Sequence, residues 1–124
     1  MLIENYYKIN DFLVEGGEAV FQISLLADCD VYKGHFPGEP VSPGICNIQM
    51  IKECAEMIAG KSLFLNNLQI CRLTTLVTPL LHPHVEMKVN LEDNDGIYRL
   101  IATIGRDGEK YLELKAELIA DIYK

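Results

Sequence analysis

Hydrophobic and polar positions change their spacing along this chain of 124 residues. Residues 18–31 show an approximate alternation, which predicts a strand after the turn signal Gly16-Gly17. The apolar members of this alternation are Val20, Ile23, Leu25 and Ala27, and the polar members are Gln22, Ser24 and Asp28. Residues 1–15 carry a weaker amphipathic pattern and are interpreted as a lead-in to this strand.

A helical pattern begins at Pro43. Apolar residues then recur at mixed three- and four-residue spacing over roughly four turns, at positions Ile45, Ile48, Met50, Ile51, Cys54, Ala55 and Ile58. Proline suits the first turn of a helix because its missing N–H is no loss there, and Gly60 is a suitable C-terminal cap. Apolar residues occupy most sides of this helix, so we expect a sheet to wrap around it.

Strand-like runs separated by turn signals follow the helix. They cover Leu63 to Val77, Val85 to Glu92, Ile97 to Ile104 and Lys110 to Ile122. Asp95-Gly96 and Asp107-Gly108 lie between alternating runs and indicate antiparallel hairpins. One long central helix followed by an antiparallel meander predicts an α+β fold, and residues 1–124 are interpreted as a single domain.

Composition narrows the classes of function and the location. A net charge of −7 argues against nonspecific nucleic-acid binding. No apolar run is long enough to span a bilayer, and residues 1–8 lack the basic region and apolar core of a secretory signal. We therefore predict a cytoplasmic protein without membrane insertion. The 49% hydrophobic content is typical of a well-covered sheet or a large subunit interface.

Neither the cysteines nor the histidines form a metal-binding motif. None of the four cysteines belongs to a Cys-x-x-Cys pair, and we expect buried free thiols; they are Cys29, Cys46, Cys54 and Cys71. Two histidines with one residue between them can ligate a metal when both lie on a strand. In His82-Pro83-His84 a proline separates them at a predicted turn and no third ligand is evident, so we predict a surface turn and no metal.

Residues 35–44 carry the most specific chemistry, in the order His-Phe-Pro-Gly-Glu-Pro-Val-Ser-Pro-Gly. Prolines and Pro-Gly pairs make this loop rigid, and it runs directly into the predicted helix. Such a loop can fix the imidazole of His35 and aim free backbone N–H groups of the helix start at a developing oxyanion. Ser42 lacks the Gly-x-Ser-x-Gly elbow of a serine nucleophile.

This segment closely resembles the signature of the 3-hydroxyacyl-acyl-carrier-protein dehydratases of the FabZ/FabA type, which have the hotdog fold. The family pattern is His-Phe-Pro-Gly-x-Pro-Val-x-Pro-Gly. Its defined positions match His35, Phe36, Pro37, Gly38, Pro40, Val41, Pro43 and Gly44. The resemblance implies an antiparallel sheet wrapped around a long central helix, in a homodimer or trimer of dimers with an acyl tunnel between subunits.

The resemblance also implies an activity and roles for the motif residues. The activity is dehydration, or the reverse hydration, of 3-hydroxyacyl thioesters on acyl carrier protein, in fatty-acid or specialised lipid biosynthesis and without a cofactor. His35 would be the base that takes the α-proton, and the backbone N–H of Gly44 would stabilise the enolate oxygen. Phe36, Val41 and Pro43 would bind the acyl chain or orient the carbonyl.

The chain departs from the family pattern at the catalytic acid, whose position falls on Gln49. An amide can donate a hydrogen bond to the leaving hydroxyl, but it cannot transfer a proton at neutral pH. Glu53 follows four residues later on the same helix face, where the family often has glutamine, so the two residue types look exchanged. Glu53 either supplies the acid from one turn deeper, about 5.4 Å away, or occupies a polar site unrelated to chemistry.

Two other functions stay open. Gln49 is the feature that favours a catalytically silent hotdog subunit, which would bind acyl chains or pair with an active partner. A thioesterase of the same fold would need a carboxylate such as Glu53 or Glu39 to activate water, but the His-Phe-Pro-Gly signature argues against it. Docking of an acidic carrier protein needs a local basic patch, and scattered surface charge is the alternative for its candidates. These candidates are Lys33, Arg72, Arg99, Arg106 and Lys110.

Overall fold

The computed structural model describes residues 5–29, 44–75 and 77–121. Within these ranges the chain forms six strands and one helix. In chain order they are β1 (Tyr7–Glu15), β2 (Glu18–Leu25), α1 (Gly44–Ala59), β3 (Leu63–Leu73), β4 (His84–Asn94), β5 (Ile97–Arg106) and β6 (Glu109–Ala120). The strands form one antiparallel sheet in the order β1-β2-β4-β5-β6-β3. The predicted α+β fold with an antiparallel sheet is confirmed.

Two tight hairpins join β4 to β5 and β5 to β6, as predicted. The backbone φ angles are 55° at Asp95 and 85° at Gly96, and 52° at Asp107 and 81° at Gly108. Two consecutive positive φ values are what a type I′ turn requires, and Asp-Gly is among the residue pairs that adopt it most readily. These turns fix the register of the three strands at the centre of the sheet.

Alternate residues of the central strands form the core. Burying one large apolar side chain contributes about 1.5–3 kcal/mol, so this inner face dominates the stability of the fold. On β2 the buried members are Ala19, Phe21, Ile23 and Leu25. The prediction that Val20 shares the face of Ile23 was wrong, because successive side chains of a strand point to opposite faces.

Helix α1 packs on the inner face of the sheet and contacts β3 and β4. Met50, Ile51, Cys54 and Ala55 are buried, whereas Met57, outside this face, is 46% exposed. The helix has 16 residues, and Met57 is the one exposed side chain among its described residues 46–59. It ends as predicted before Gly60, which has a φ of 71°. No helical stretch of the described residues would span a membrane.

The first strand, β1, was not predicted. Residues 7–15 lie at the edge of the sheet, and most of their side chains are exposed. The pairing with β2 also contains an irregularity between Ile9 and Asp11, which interrupts any alternation of polar and apolar residues. Edge strands with one solvated face carry little periodic signal, so tertiary pairing rather than local pattern determines this element.

Candidate functional site

The predicted catalytic loop leads into α1. Four predicted site residues lie outside the described residues, and their roles stay predictions: His35, Phe36, Val41 and Pro43. Gly44 is the first residue of α1. The first N–H groups of an α-helix have no intrahelical acceptor, so the start of α1 offers the donors that an oxyanion site would need.

Gln49 and Glu53 are hydrogen-bonded to each other on α1. Gln49 Nε2 donates to Glu53 Oε2 at 2.9 Å, which confirms that the two residues share a helix face. Glu53 is 3% exposed, whereas Gln49 is partly exposed. The amide therefore lies nearer to solvent than the carboxylate, which is buried behind it.

Tyr7 of β1 contacts the other oxygen of the Glu53 carboxylate. The phenol O–H donates to Glu53 Oε1 at 3.0 Å, and the tyrosine is fully buried. Burial, together with smaller contributions from Cys54 and from the Glu53 charge, raises the pKa of Tyr7 far above its ordinary value. The phenol therefore keeps its proton and can donate to the carboxylate. Hydrogen bonds at both oxygens offset the cost of burying this polar group.

A second buried tyrosine contacts the same helix. Tyr6 O–H donates to Asn47 Oδ1 at 2.7 Å, and both residues are buried. Asn47 lies two residues before Gln49, so the two side chains leave the helix in different directions. Two adjacent tyrosines thus attach the start of β1 to α1 through separate hydrogen bonds.

Neither tyrosine was predicted to belong to the site, because β1 was not predicted to be a strand. Tyr7 is paired with Leu25 in the sheet, and this pairing brings it to a helix residue 46 positions away. A usable signal lay in Glu53, because a carboxylate in a largely apolar helix must find donors when it is buried. Which donors it finds depends on the sheet topology.

The cysteines differ in their environments, and all four are free. Burial raises the pKa of Cys54 to about 12, with the Tyr7 hydrogen bond lowering it and the Glu53 charge raising it further. Cys54 is therefore an inert thiol rather than a nucleophile. The expectation of buried thiols is confirmed for Cys54 but is wrong for Cys71, which is exposed on the edge strand β3.

The two histidines near the predicted turn interact with different protein groups. His82 Nδ1 accepts a hydrogen bond from the Thr78 N–H at 3.2 Å, and its ring lies 4.8 Å from that of Tyr111. His84 Nδ1 is 3.1 Å from Ser24 Oγ. In the described part of the chain, no three His, Cys, Asp or Glu side chains are grouped so that they could hold a metal ion.

Of the cations proposed as a docking patch, Arg72, Arg99 and Lys110 lie beside carboxylates, and Lys33 lies outside the described residues. Arg72 Nη1 lies 3.6 Å from Glu113 Oε2, and Lys110 Nζ lies 3.8 Å from Glu113 Oε1. Arg99 is opposite Glu117 in the register of β5 and β6. These side chains form mixed-charge pairs on the exposed sheet, which favours scattered charge over a basic patch among them.

Comparisons with known proteins identify the family. The family model "ApeI-like: ApeI dehydratase" matches residues 12–111. A 3-hydroxyacyl-[acyl-carrier-protein] dehydratase FabZ from Pediococcus pentosaceus is 30% identical over 118 residues, covering 84% of this chain and 78% of that protein. FabZ from Lactiplantibacillus plantarum is also 30% identical over 118 residues, covering 84% of this chain and 80% of that protein.

Solved structures agree on the fold. The dehydratase heterocomplex ApeI:P from Xenorhabdus doucetiae matches with a TM-score of 0.72 and 17% identity, over 90% of this chain and 96% of that chain. This likeness and the arrangement of strands and helix confirm the hotdog fold that the motif implied. Because the family model covers most of the sequence and relatives at 30% identity cover more than two thirds of it, this chain belongs to the ApeI-like dehydratase family.

Proposed function

We propose that this chain dehydrates 3-hydroxyacyl thioesters carried on acyl carrier protein, in fatty-acid or specialised lipid biosynthesis. The observation that carries the proposal is the complete His-Phe-Pro-Gly-x-Pro-Val-x-Pro-Gly motif placed directly before α1 in a member of a dehydratase family. The curated relatives named FabZ support the carrier-protein thioester as the substrate.

The proposed reaction needs no external reactant. His35 takes the α-proton of the thioester, and the electron pair moves onto the carbonyl oxygen, which the Gly44 N–H stabilises. The enolate then collapses to form the double bond between the α- and β-carbons. The β-hydroxyl leaves with the proton that the His35 imidazolium returns, so the products are a 2-enoyl thioester and water. Phe36, Val41 and Pro43 orient the acyl chain.

In this proposal Gln49 occupies the acid position without acting as an acid. The Nε2 end of its amide is turned toward Glu53, so the Oε1 end can accept the hydrogen of the substrate hydroxyl. This contact would leave a lone pair of the hydroxyl oxygen facing the imidazolium. Glu53 acts indirectly, by holding the Gln49 amide through this hydrogen bond. In the competing assignment, Glu53 itself donates a proton to the leaving hydroxyl.

Turnover tests the proposal. Purified protein incubated with a 3-hydroxyacyl-carrier-protein should form the conjugated 2-enoyl thioester, which is followed by mass spectrometry of the phosphopantetheine arm. The silent-subunit alternative predicts binding of the acyl chain without water loss. Water loss that appears only after a second, active hotdog chain is added would also contradict the proposal.

The complete site is proposed to form between two copies of this chain, with the α1 helices side by side and a tunnel at each of the two equivalent sites. Strand β3 supports this arrangement because it is an edge of the sheet, next to α1, and exposes apolar side chains. These are Phe64, Leu68, Ile70 and Leu73. Pairing along this edge would bury them and would enclose α1 as the central helix of the hotdog fold.

We expect Ile70→Lys to convert the dimer to a monomer, because a lysine on an edge strand opposes pairing with another strand. Ile70 is 40% exposed in the single chain. The matched control is Val14→Lys, at a 46% exposed apolar residue on the opposite edge strand β1. Sedimentation velocity at micromolar concentration measures both variants. A monomeric wild type, or a monomer produced only by Val14→Lys, would contradict the β3 interface.

A further inference from the structure

A hydrogen-bonded chain of three side chains runs from β1 to the proposed site. Tyr7 O–H donates to Glu53 Oε1 at 3.0 Å, and Gln49 Nε2 donates to Glu53 Oε2 at 2.9 Å. Tyr7 and Glu53 are almost completely buried, and Gln49 is partly exposed. The order of burial means that the chain of hydrogen bonds begins in the core and ends at a partly exposed side chain of α1.

The direction of each hydrogen bond follows from the chemistry of the groups. Burial keeps the Tyr7 phenol protonated, so it is available as a donor. Both Glu53 oxygens accept hydrogen bonds in these contacts, so the side chain meets the nitrogen end of the Gln49 amide. The two ends of a planar amide point in different directions, so fixing the nitrogen also fixes the carbonyl oxygen. The orientation of Gln49 is thus determined by groups behind it.

We propose that Tyr7 is a positioning residue of the dehydratase site, which acts through Glu53 to hold the Gln49 amide with its carbonyl oxygen toward the substrate hydroxyl. The inference rests on the proposed function and deepens it, because it assigns a role to a residue of β1 outside the motif. Tyr7 does not touch the substrate. Tyr7 instead sets the angle at which the Gln49 amide approaches the substrate hydroxyl. Catalytic geometry is sensitive to displacements of an ångström or less.

The test compares Tyr7→Phe with Tyr6→Phe. Each substitution deletes one phenol oxygen from a buried tyrosine that bonds to α1, and within the described residues Tyr7 bonds to the partner of Gln49, whereas Tyr6 bonds to Asn47. We expect Tyr7→Phe to lower kcat about 10-fold with KM changed less than about 2-fold. Tyr6→Phe should lower the melting temperature comparably and leave kcat near that of wild type. Equal effects of the two variants on kcat would reduce Tyr7 to a structural residue.

A double variant shows whether Tyr7 acts through Gln49. In a Gln49→Ala background, Tyr7→Phe should cause no further loss of kcat, since the group that it orients is gone. A full additional 10-fold loss in that background would overturn the inference. Should Tyr7→Phe fail to fold, Glu53→Gln alters the middle link: its amide would favour a reversed Gln49 amide, and kcat should fall by a similar factor.

A measurement independent of turnover separates this inference from the proposed function. The side-chain amide protons of Gln49 should give sharp, shifted nitrogen-15 NMR resonances in wild type and in Tyr6→Phe. In Tyr7→Phe they should broaden or move toward the position of a free amide. An inactive wild type with this resonance pattern would reject the proposed reaction but keep the positioning by Tyr7. Unchanged Gln49 resonances in Tyr7→Phe would reject the positioning.

Discussion

Replacing His35 with alanine is expected to lower kcat for dehydration by roughly 10²-fold or more while the fold stays intact. The proposed mechanism uses this imidazole twice, first to take the α-proton and then to return a proton to the leaving hydroxyl. Loss of the ring removes both steps, and no other histidine is expected to replace it. His84, on β4, hydrogen-bonds Ser24, and His82 packs against Tyr111.

The control for this prediction is His84→Ala, which removes an exposed imidazole and should leave kcat within about 2-fold of wild type. Circular dichroism and sedimentation establish that both variants keep the wild-type fold and assembly. Steady-state kinetics with a 3-hydroxyacyl thioester then give kcat and KM. Turnover that survives His35→Ala would remove His35 from the mechanism and with it the role inferred from the motif.

The second large effect concerns the exchanged pair on α1. Gln49→Glu is expected to raise dehydration about 10-fold or more, because it places a proton donor where the resembled family has one. Glutamine and glutamate have similar helix propensity and nearly equal size, so the helix should tolerate the change. The introduced carboxyl would lie within hydrogen-bonding distance of Glu53. Repulsion between the two carboxylates and partial burial would both raise the pKa of the introduced carboxyl. The pair would therefore retain a proton near neutral pH.

This gain should depend on pH in a defined direction. A folded-state pKa raised above the unfolded value means that the folded variant binds the extra proton more tightly. The added activity and the stability associated with it should therefore be lost as pH rises through the raised pKa. Measuring kcat of wild type and of Gln49→Glu across a range of pH gives the gain in rate at each pH. A gain that is constant at all pH values would contradict proton donation by the introduced group.

The double variant Gln49→Glu/Glu53→Gln restores the order of residue types common in the resembled family. Its hydrogen bonds can all be satisfied, because Tyr7 can donate to the new amide oxygen and the new amide nitrogen can donate to the carboxyl at position 49. We expect it to fold and to exceed wild type in kcat. Glu53→Gln alone distinguishes the two assignments of Glu53. Abolished turnover that Gln49→Glu rescues would make Glu53 the acid, whereas a loss of about 10-fold supports its action through Gln49.

Local signals in the sequence predicted the parts of this fold that depend on neighbouring residues. Asp95-Gly96 and Asp107-Gly108 predicted two hairpins, and the spacing from Pro43 to Gly60 predicted α1 because its caps and apolar positions are local. Strand β1 was missed because it is an exposed edge whose pairing with β2 has an irregularity. Its contribution depends on tertiary placement rather than on any pattern within residues 7–15.

The candidate site likewise contains residues that local spacing predicted and a residue that it did not. The four-residue spacing correctly predicted that Gln49 and Glu53 share a helix face, and the structure joins them by a hydrogen bond. Nothing in the local sequence linked Tyr7 to Glu53, because the contact joins the first strand to the helix across 46 positions. The same contact explains how a carboxylate can be buried on this helix. A catalytic group is often recognisable from its motif, whereas the groups that orient it are brought there by the topology.

The most direct test of the central claim, that this family member adds or removes water at the β-carbon, runs the reaction backwards in water enriched in heavy oxygen. A 2-enoyl-carrier-protein thioester is incubated with the protein, and the acyl group is analysed by mass spectrometry. The proposed function predicts one labelled oxygen at the β-carbon of an intact 3-hydroxyacyl thioester, and no label with His35→Ala. Label in a released fatty-acid carboxylate would indicate a thioesterase, and an unchanged, unlabelled enoyl thioester would indicate a silent subunit. Either of these results would contradict the account.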